Sequence, residues 1–261
     1  MCERLSISIV IYKKYDDVIE AVDSIEKQTS RQLTKIIYLV DNSQSQEDAP
    51  ERAAFEKHMQ QYPDVVYIDT KENLGFGKGH NYVMDRLQSE YHAILNPDIV
   101  LKEDAFSTLI SFMEKNNNGM SIPKLINEQG ELQDVYRREL TVFDMYLRMF
   151  TKKTFQKRKD YHSMKDQDYT RAFQVPFGQG SFLVIKTKLW KQLHGFDDSY
   201  FMYLEDADLC RRVNQVSKLM YCPDVTVIHK WEKESHKNKK LFKVHIKSMV
   251  TYFRKWGWRI C

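Results

Sequence analysis

Three acidic side chains crowd the stretch Glu205-Asp206-Ala207-Asp208, directly after the aromatic run Tyr200-Phe201-Met202-Tyr203. Carboxylates this close repel unless something offsets them, and a helix N-terminus does so by about 0.3–1 kcal/mol per favourable contact. On a helix, Asp206 stands about 100° round from Glu205 and Asp208 about 60° from it, so the three need not share one task. One of them facing a cleft could act as general base on a sugar hydroxyl. The alternative is a capped helix start paired with Arg211 and Arg212. Asn96-Pro97-Asp98 offers a carboxylate on a Pro-stiffened turn, a fair ligand for a hard cation such as Mg²⁺ or Mn²⁺ that also touches a diphosphate, although so short a motif also arises as a plain turn. His229, beside Lys230 and Trp231, could ligate a metal, contact phosphate or be structural. Asn73-Leu-Gly-Phe-Gly-Lys-Gly-His-Asn81 invites a phosphate-loop reading. It lacks the Gly-Lys-Ser/Thr of a Walker loop and the spacing of the dinucleotide fingerprint. Its glycines would let backbone approach a ligand, or simply make a flexible turn.

These residues need a scaffold. Leu5 to Tyr12 is rich in β-branched residues and reads as a buried strand, and Lys35 to Val40, Val65 to Asp69 and Tyr91 to Leu95 read as three more strands. The segments between them read as helices: one capped by Asp16 with Val18, Ile19, Val22 and Ile25 on one face, one from about Gln46 to Gln61, and one from about Gly79 to Ser89. Strand and helix alternating in this way predict a doubly wound, mostly parallel α/β sheet. Ligands gather beyond the carboxyl ends of such strands, and Asp41, Asn73 to Asn81 and Asn96/Asp98 all stand there. The second half predicts a short β excursion over 119–136 and one or two amphipathic helices, or a lid, over 137–171. A strand follows over Ser181–Lys186, then helices over Thr187–Leu193 and Glu205–Asn214. Leu219 to Ile228 is a strand interrupted near Pro223.

At 261 residues, 42% hydrophobic, 13% aromatic and 29% charged, the chain fits a globular protein rather than a disordered or fibrous one. No apolar run approaches the ~18–20 residues of a membrane span, and the first residues lead into a strand rather than a secretory signal. Four cysteines without CxxC spacing exclude a zinc ribbon or a disulfide scaffold. The net charge of +4 is unevenly spread. Residues 229–261 hold ten Lys/Arg against two Glu, whereas the remainder holds 30 Lys/Arg against 34 Asp/Glu. A basic tail suits a polyanion, and its aromatics Phe242, Tyr252, Phe253, Trp256 and Trp258 suit an anionic membrane surface. No nucleic-acid motif accompanies the charge.

Taken together, the motifs resemble the family 2 glycosyltransferases of the GT-A fold, in their rhamnosyltransferase-like branch. The resemblance rests on Ile7-Ser-Ile-Val-Ile-Tyr12, Val40-Asp-Asn-Ser43, the Asn73–Asn81 loop, Leu95-Asn-Pro-Asp98, Gly180-Ser-Phe182, Gly195-Phe-Asp197, Phe201-Met-Tyr-Leu-Glu-Asp-Ala-Asp-Leu-Cys-Arg211 and Ile228-His229. It implies one GT-A domain. Residues 1–100 would form the nucleotide-sugar half and 101–228 the acceptor half, with 137–171 variable and 229–261 a basic aromatic tail. Tyr12 and Asp41 would hold the base; Asn73, Gly75 and Asn81 would shape the pocket for ribose, diphosphate or sugar. Asn96 and Asp98 occupy the DXD position, with Asp98 and His229 as metal ligands for Mg²⁺ or Mn²⁺. Gly180 would lie beside the donor sugar, Asp206 would be the catalytic base, and Glu205 and Trp231 would face the acceptor. Ile11, Lys13 and Gln179 depart from the pattern of many relatives and bear on base contacts and donor preference.

The implied reaction is inverting transfer of a sugar, with dTDP-L-rhamnose first and UDP-linked galactose, glucose or N-acetylglucosamine next. The implied acceptor is a polyprenyl-diphosphate-linked saccharide of a bacterial surface polysaccharide, at the cytoplasmic face of the cell membrane. A homo-oligomer is compatible with this reading. A nucleotidyltransferase would carry a glycine-rich loop after the first strand, and Tyr12-Lys-Lys-Tyr15 has none. A non-catalytic nucleotide-sugar-binding protein would have little use for Asp98, Asp206 and His229 together.

Overall fold

The β-branched runs pair as strands wherever both faces can be covered. In the computed structural model, which describes residues 3–43, 49–151, 153–230 and 239–261, they form one sheet that runs through both halves of the chain. In chain order the elements begin β1 (Leu5–Ile11), α1 (Tyr15–Gln28), β2 (Lys35–Asp41), α2 (Ala49–Met59), β3 (Val65–Asp69), α3 (Phe76–Asn81) and β4 (Tyr91–Leu95). Then come β5 (Ile99–Leu101), α4 (Ala105–Asn116), β6 (Met120–Ile126), β7 (Tyr136–Arg137), α5 (Val142–Phe150) and α6 (Gln156–His162). The chain closes with β8 (Phe173–Gln174), β9 (Phe177–Gly178), β10 (Phe182–Lys186), α7 (Thr187–Gln192), α8 (Glu205–Val216), β11 (Leu219–His229) and α9 (Lys239–Trp256).

The sheet order is β3-β2-β1-β4-β10-β6-β11-β5, with β8 on β11. From β3 to β4 every pairing is parallel, as the strand–helix alternation predicts. Beyond β4 the sheet is mixed. Strand β10 runs antiparallel to both β4 and β6, and β6 is parallel to β11. Residues 120–126, expected in a β excursion, are thus a central strand of the main sheet; only β7 and β9 form a separate ribbon. The reason is non-local, because β6 finds its partners in β10 and β11 far along the chain. Pro223 falls where the β6–β11 register shifts, between Cys222 and Thr226.

Two helix expectations change. Asp16 does not cap α1; the cap position is Lys14, in the left-handed region at φ 53°, and Asp16 sits in the first turn. Helix α3 begins at Phe76 and ends at Asn81, followed by a short 3-10 turn at Met84–Arg86. Its early start is set by Gly75, which at φ 79° adopts a backbone that L-residues rarely take. A Cβ there would lie 2.1 Å from the Phe201 carbonyl oxygen, so the glycine loop is shaped to accept the segment that leads into α8.

The tail joins the body rather than trailing from it. Tyr252 and Phe253 are buried, and Ser248 Oγ donates to the Met202 carbonyl at 2.7 Å. Trp256 Nε1 donates to Asp208 Oδ1 at 2.8 Å. Tyr252 and Phe253, expected at a membrane interface, are therefore core residues. The helix needed an apolar stripe to dock, and they supply it.

Candidate active site

Strand β4 delivers Asn96 and Asp98 to the carboxyl edge of the sheet, and β11 delivers His229 to the same corner by pairing His229 with Ile99. His229 Nε2 lies 3.4 Å from Asp98 Oδ1 and 3.4 Å from Asn96 Nδ2, and its ring is fully buried. Gln133 holds that ring from behind. Its Nε2 donates to the His229 carbonyl at 2.7 Å, which leaves Oε1 to accept from His229 Nδ1 at 2.8 Å. The Gln133 contacts make Nδ1 a donor and turn Nε2 toward Asp98. Asp98 Oδ1 is itself buried without a hydrogen-bond partner.

Asp206 opens α8. Its Oδ2 accepts from the Gly180 amide at 3.0 Å and its Oδ1 from its neighbour Ala207 at 2.8 Å. Burial pushes the carboxyl above its ordinary range, while the two amides and the nearby Arg137 guanidinium pull it back. The two corners are tied together, for Ser181, next to Gly180, accepts from the Asn96 amide at 2.8 Å. Adjacent residues of one segment thus bind the Asp206 carboxylate, through the Gly180 amide, and the turn that carries Asp98, through the Ser181 carbonyl. Asp98 and Asp206 share one edge of the molecule.

The three carboxylates of the α8 start go three ways. Asp208 is fully buried and pairs with Arg212 and Lys255, each at 2.7 Å, so it is the structural acid of the set. Glu205, expected to face the acceptor, is buried instead, in contact range of Gly77, with Oε2 unpartnered. Burial and the Asp206 charge push its carboxyl well up, which favours a neutral acid there. Tyr203 and Leu204 precede the helix at φ 71° and 67°, and Lys13, Lys14 and Lys71 are also left-handed in loops at this edge. Strained non-glycine backbone gathers where a site must be shaped.

Other expected residues take structural posts. Asp41 is fully buried: Tyr15 and Tyr67 hydroxyls donate to Oδ2 at 2.9 and 2.7 Å, and the Ser43 amide to Oδ1 at 2.8 Å. Its carboxylate thus ties the end of β2 to Tyr15, Tyr67 and Ser43. Asn81 bonds the backbone of Phe196 and Asp198 Oδ1, bracing the turn before α8. Asn73 Oδ1 accepts from the Gly75 amide at 3.0 Å and sets the loop. Gly180 lies against Asp206, since a Cβ there would come within 3.2 Å of the Asp206 Cβ. Tyr12 is 54% exposed at the end of β1. Trp231 lies outside the described residues.

Gln133 and Arg137 escape a reading of the sequence. Each acts through a partner more than twenty residues away in the chain, and neither stands in a motif that announces it, whereas Ser181 falls within Gly180-Ser-Phe182 without its role being evident there.

A divalent cation fits the first corner. A buried carboxylate oxygen without a hydrogen-bond partner and an imidazole nitrogen turned toward it are an oxygen and a nitrogen donor suited to Mn²⁺ or Mg²⁺. Among the described residues no group of three or more His, Cys, Asp or Glu forms there. Outer-shell partners of a ligating histidine typically tune metal affinity by about 10–100-fold. Gln133→Ala should therefore weaken Mn²⁺ binding by that factor in a metal titration, and Gln133→Glu, which still accepts from Nδ1, should recover part of it. Equal affinity in wild type and Gln133→Ala would remove Gln133 from the site.

The family model for glycosyl transferase family 2 matches residues 6–193, which spans every element from β1 to α7. The chain belongs to that family. It is similar to the rhamnosyltransferase WbbL of Escherichia coli K12, at 29% identity over 74% of this chain and 75% of that one. It is also similar to an N-acetylglucosaminyl-diphospho-decaprenol L-rhamnosyltransferase of Mycobacterium tuberculosis, at 24% identity over 88% of this chain and 76% of that one. Among solved structures, GalNAc-T7 with UDP, GalNAc and Mn²⁺ superposes with a TM-score of 0.69 at 16% identity. That match covers 97% of this chain and 48% of the other. The fold is GT-A, and this glycosyltransferase carries its catalytic candidates at the edge where β4, β10 and β11 end or begin.

Proposed function

We propose that the chain is a metal-dependent, inverting glycosyltransferase that moves L-rhamnose from dTDP-L-rhamnose onto a hydroxyl of a polyprenyl-diphosphate-linked saccharide. The observation that carries this reading is the short bridge from Asn96 through Ser181 and Gly180 to Asp206, which holds a cation corner and a base corner side by side. The exposed Tyr12 ring offers a face for the donor's base, and the printed names of the bacterial relatives favour rhamnose over other sugars.

When bound at Asp98 and His229, Mg²⁺ or Mn²⁺ would offset negative charge on a departing diphosphate. Asp206 takes the acceptor hydroxyl proton as the hydroxyl oxygen bonds to the anomeric carbon. The bond from that carbon to the diphosphate oxygen breaks, and the nucleoside diphosphate leaves. Attack from the face opposite the leaving group inverts the configuration. Gly180 and Ala207 amides hold the Asp206 carboxylate in place for this proton transfer.

A thermal-shift panel of nucleotide sugars with and without Mn²⁺, followed by donor hydrolysis, tests the reading. Selective binding raises apparent stability. A shift largest for dTDP-L-rhamnose, dependent on Mn²⁺ and accompanied by slow hydrolysis, is expected. A preference for a UDP-sugar would move the donor assignment, and absence of hydrolysis with any donor would leave a binding protein.

The acceptor reading places the enzyme at the cytoplasmic membrane face. No described helix is long and apolar enough to cross a membrane. Tyr146 and Phe150 of α5, Phe155, Phe242 of α9, Trp258 and Ile260 are exposed, as are Lys243, Lys247 and Arg254 of α9, and the Phe150 and Phe242 rings are 6.4 Å apart. Amphipathic aromatics with basic neighbours suit an anionic interface. The protein should float with phosphatidylglycerol vesicles at low salt, and less so after Phe150→Ser. Its remaining in the soluble fraction would count against membrane docking.

A further inference from the structure

The two residues that lead into α8 are left-handed in succession, Tyr203 at φ 71° and Leu204 at φ 67°, and neither is glycine. Such backbone is costly and persists only where its surroundings hold it in place. Leu204 is the cap position of α8, and it makes no side-chain cap bond. The support comes from outside the helix. On one side, the Phe76 amide at the start of α3 donates to the Phe201 carbonyl at 3.1 Å. On the other, α9 lies along the segment. Ser248, only 4% exposed, donates Oγ to the next carbonyl, that of Met202, at 2.7 Å. The His245 ring lies 4.8 Å from that of Tyr203, with 30° between their planes. Further along α9, Trp256 reaches the far end of the first turn of α8. Its Nε1 donates to Asp208 Oδ1 at 2.8 Å, where Lys255 Nζ also stands at 2.7 Å, and its ring carries the Arg211 guanidinium at 4.5 Å. The Asp208 amide closes that turn on the Leu204 carbonyl at 2.9 Å. Helix α9 thus grips the chain at Met202 before Asp206 and at Asp208 after it. The carboxylate between the two grips is the one that accepts from the Gly180 and Ala207 amides.

We infer that Ser248 and Trp256 of α9 are positioning residues for the general base, clamping the first turn of α8 on either side of Asp206 and so setting where its carboxylate stands. The inference rests on the reading of Asp206 as the base and adds the element that keeps it in register. A displacement of ~1 Å at a reacting group can cost about 10² in rate, so a clamp that touches no substrate is still felt in turnover. None of these contacts involves Asp98 or His229, and the cation corner should not feel their loss.

Ser248→Ala removes one grip. Trp256→Phe keeps a ring for Arg211 and removes the N–H of the other. In hydrogen exchange of the full chain, read amide by amide, the Gly180 and Ala207 amides should exchange about tenfold faster in each variant, the size of a lost hydrogen bond, while the β1 amides keep wild-type protection. With radiolabelled dTDP-L-rhamnose and Mn²⁺, kcat for hydrolysis should fall at least about tenfold with donor affinity held. In an Asp206→Asn background the same substitutions should cost almost nothing further, because they act through that carboxylate. A merely structural role would lower the rate equally in both backgrounds, and that result would overturn the inference. Wild-type exchange at Gly180 and Ala207 in both variants would overturn it as well. Faster exchange there in a chain that hydrolyses no donor would keep the clamp and sink the reading of Asp206 as a base instead.

Discussion

Asp206→Asn is expected to lower kcat by about 10²–10⁴, the usual contribution of a general base. Asparagine keeps an oxygen to accept from the Gly180 amide, so the turn into α8 should survive and donor binding should stay near normal. A loss confined to kcat, with donor affinity held, is the signature of an interaction that matters in the transition state. The pH profile gives an independent check. Only the ionised carboxylate can accept a proton, and burial raises the Asp206 value above its ordinary one. Activity should therefore fall as the pH drops through a point above the usual carboxylate range. Removing the Arg137 charge should move that limb higher still, since the guanidinium holds the value down. Turnover by Asp206→Asn at the wild-type rate would take this residue out of the mechanism.

Asp98→Ala should act on the other half of the reaction. It removes the unpartnered buried oxygen facing His229 and leaves the imidazole without its carboxylate neighbour. Electrostatic assistance to a leaving group is worth several kcal/mol, and each 1.36 kcal/mol is tenfold in rate. A fall in activity of roughly 10²–10⁴ is expected, with weaker Mn²⁺ binding and weaker nucleotide-sugar binding. The contrast with Asp206→Asn is the useful part, because one variant should lose donor affinity and the other should keep it. Donor affinity in Asp98→Ala that matches wild type, with and without chelator, would count against the cation corner.

The two acids were legible from different signals. Asp98 follows a strand and stands on a Pro-stiffened turn, and Asp206 stands in a long motif string, so both could be named as candidates without coordinates. The fate of Glu205 was not legible, whereas the pairing of Asp208 with Arg212 is the alternative that the spacing offered. Helical geometry separates their directions but does not say which direction is cleft, core or cation. Here the core lies under Glu205 and the cations Arg212 and Lys255 lie beside Asp208. Asp41 and Asn81 stand where a ligand would be expected at strand ends and on the glycine loop. Tyr15, Tyr67 and the Phe196 turn, brought from elsewhere in the chain, satisfy them instead.

Local sequence determined the strand runs of the first half, the parallel sheet they build, the glycine loop and the family. These follow from β-branched composition, short connections and residue identity over a few positions. Tertiary structure alone decided that 120–126 joins the main sheet, that Gln133 orients His229, that Tyr252 and Phe253 are core, and that Arg137 lies beside Asp206. The physical reason is common to all four: each depends on contacts between segments whose partners lie too far along the chain for periodicity or spacing to specify, namely β6 with β10 and β11, Gln133 with His229, the tail with Met202 and Asp208, and β7 with β9.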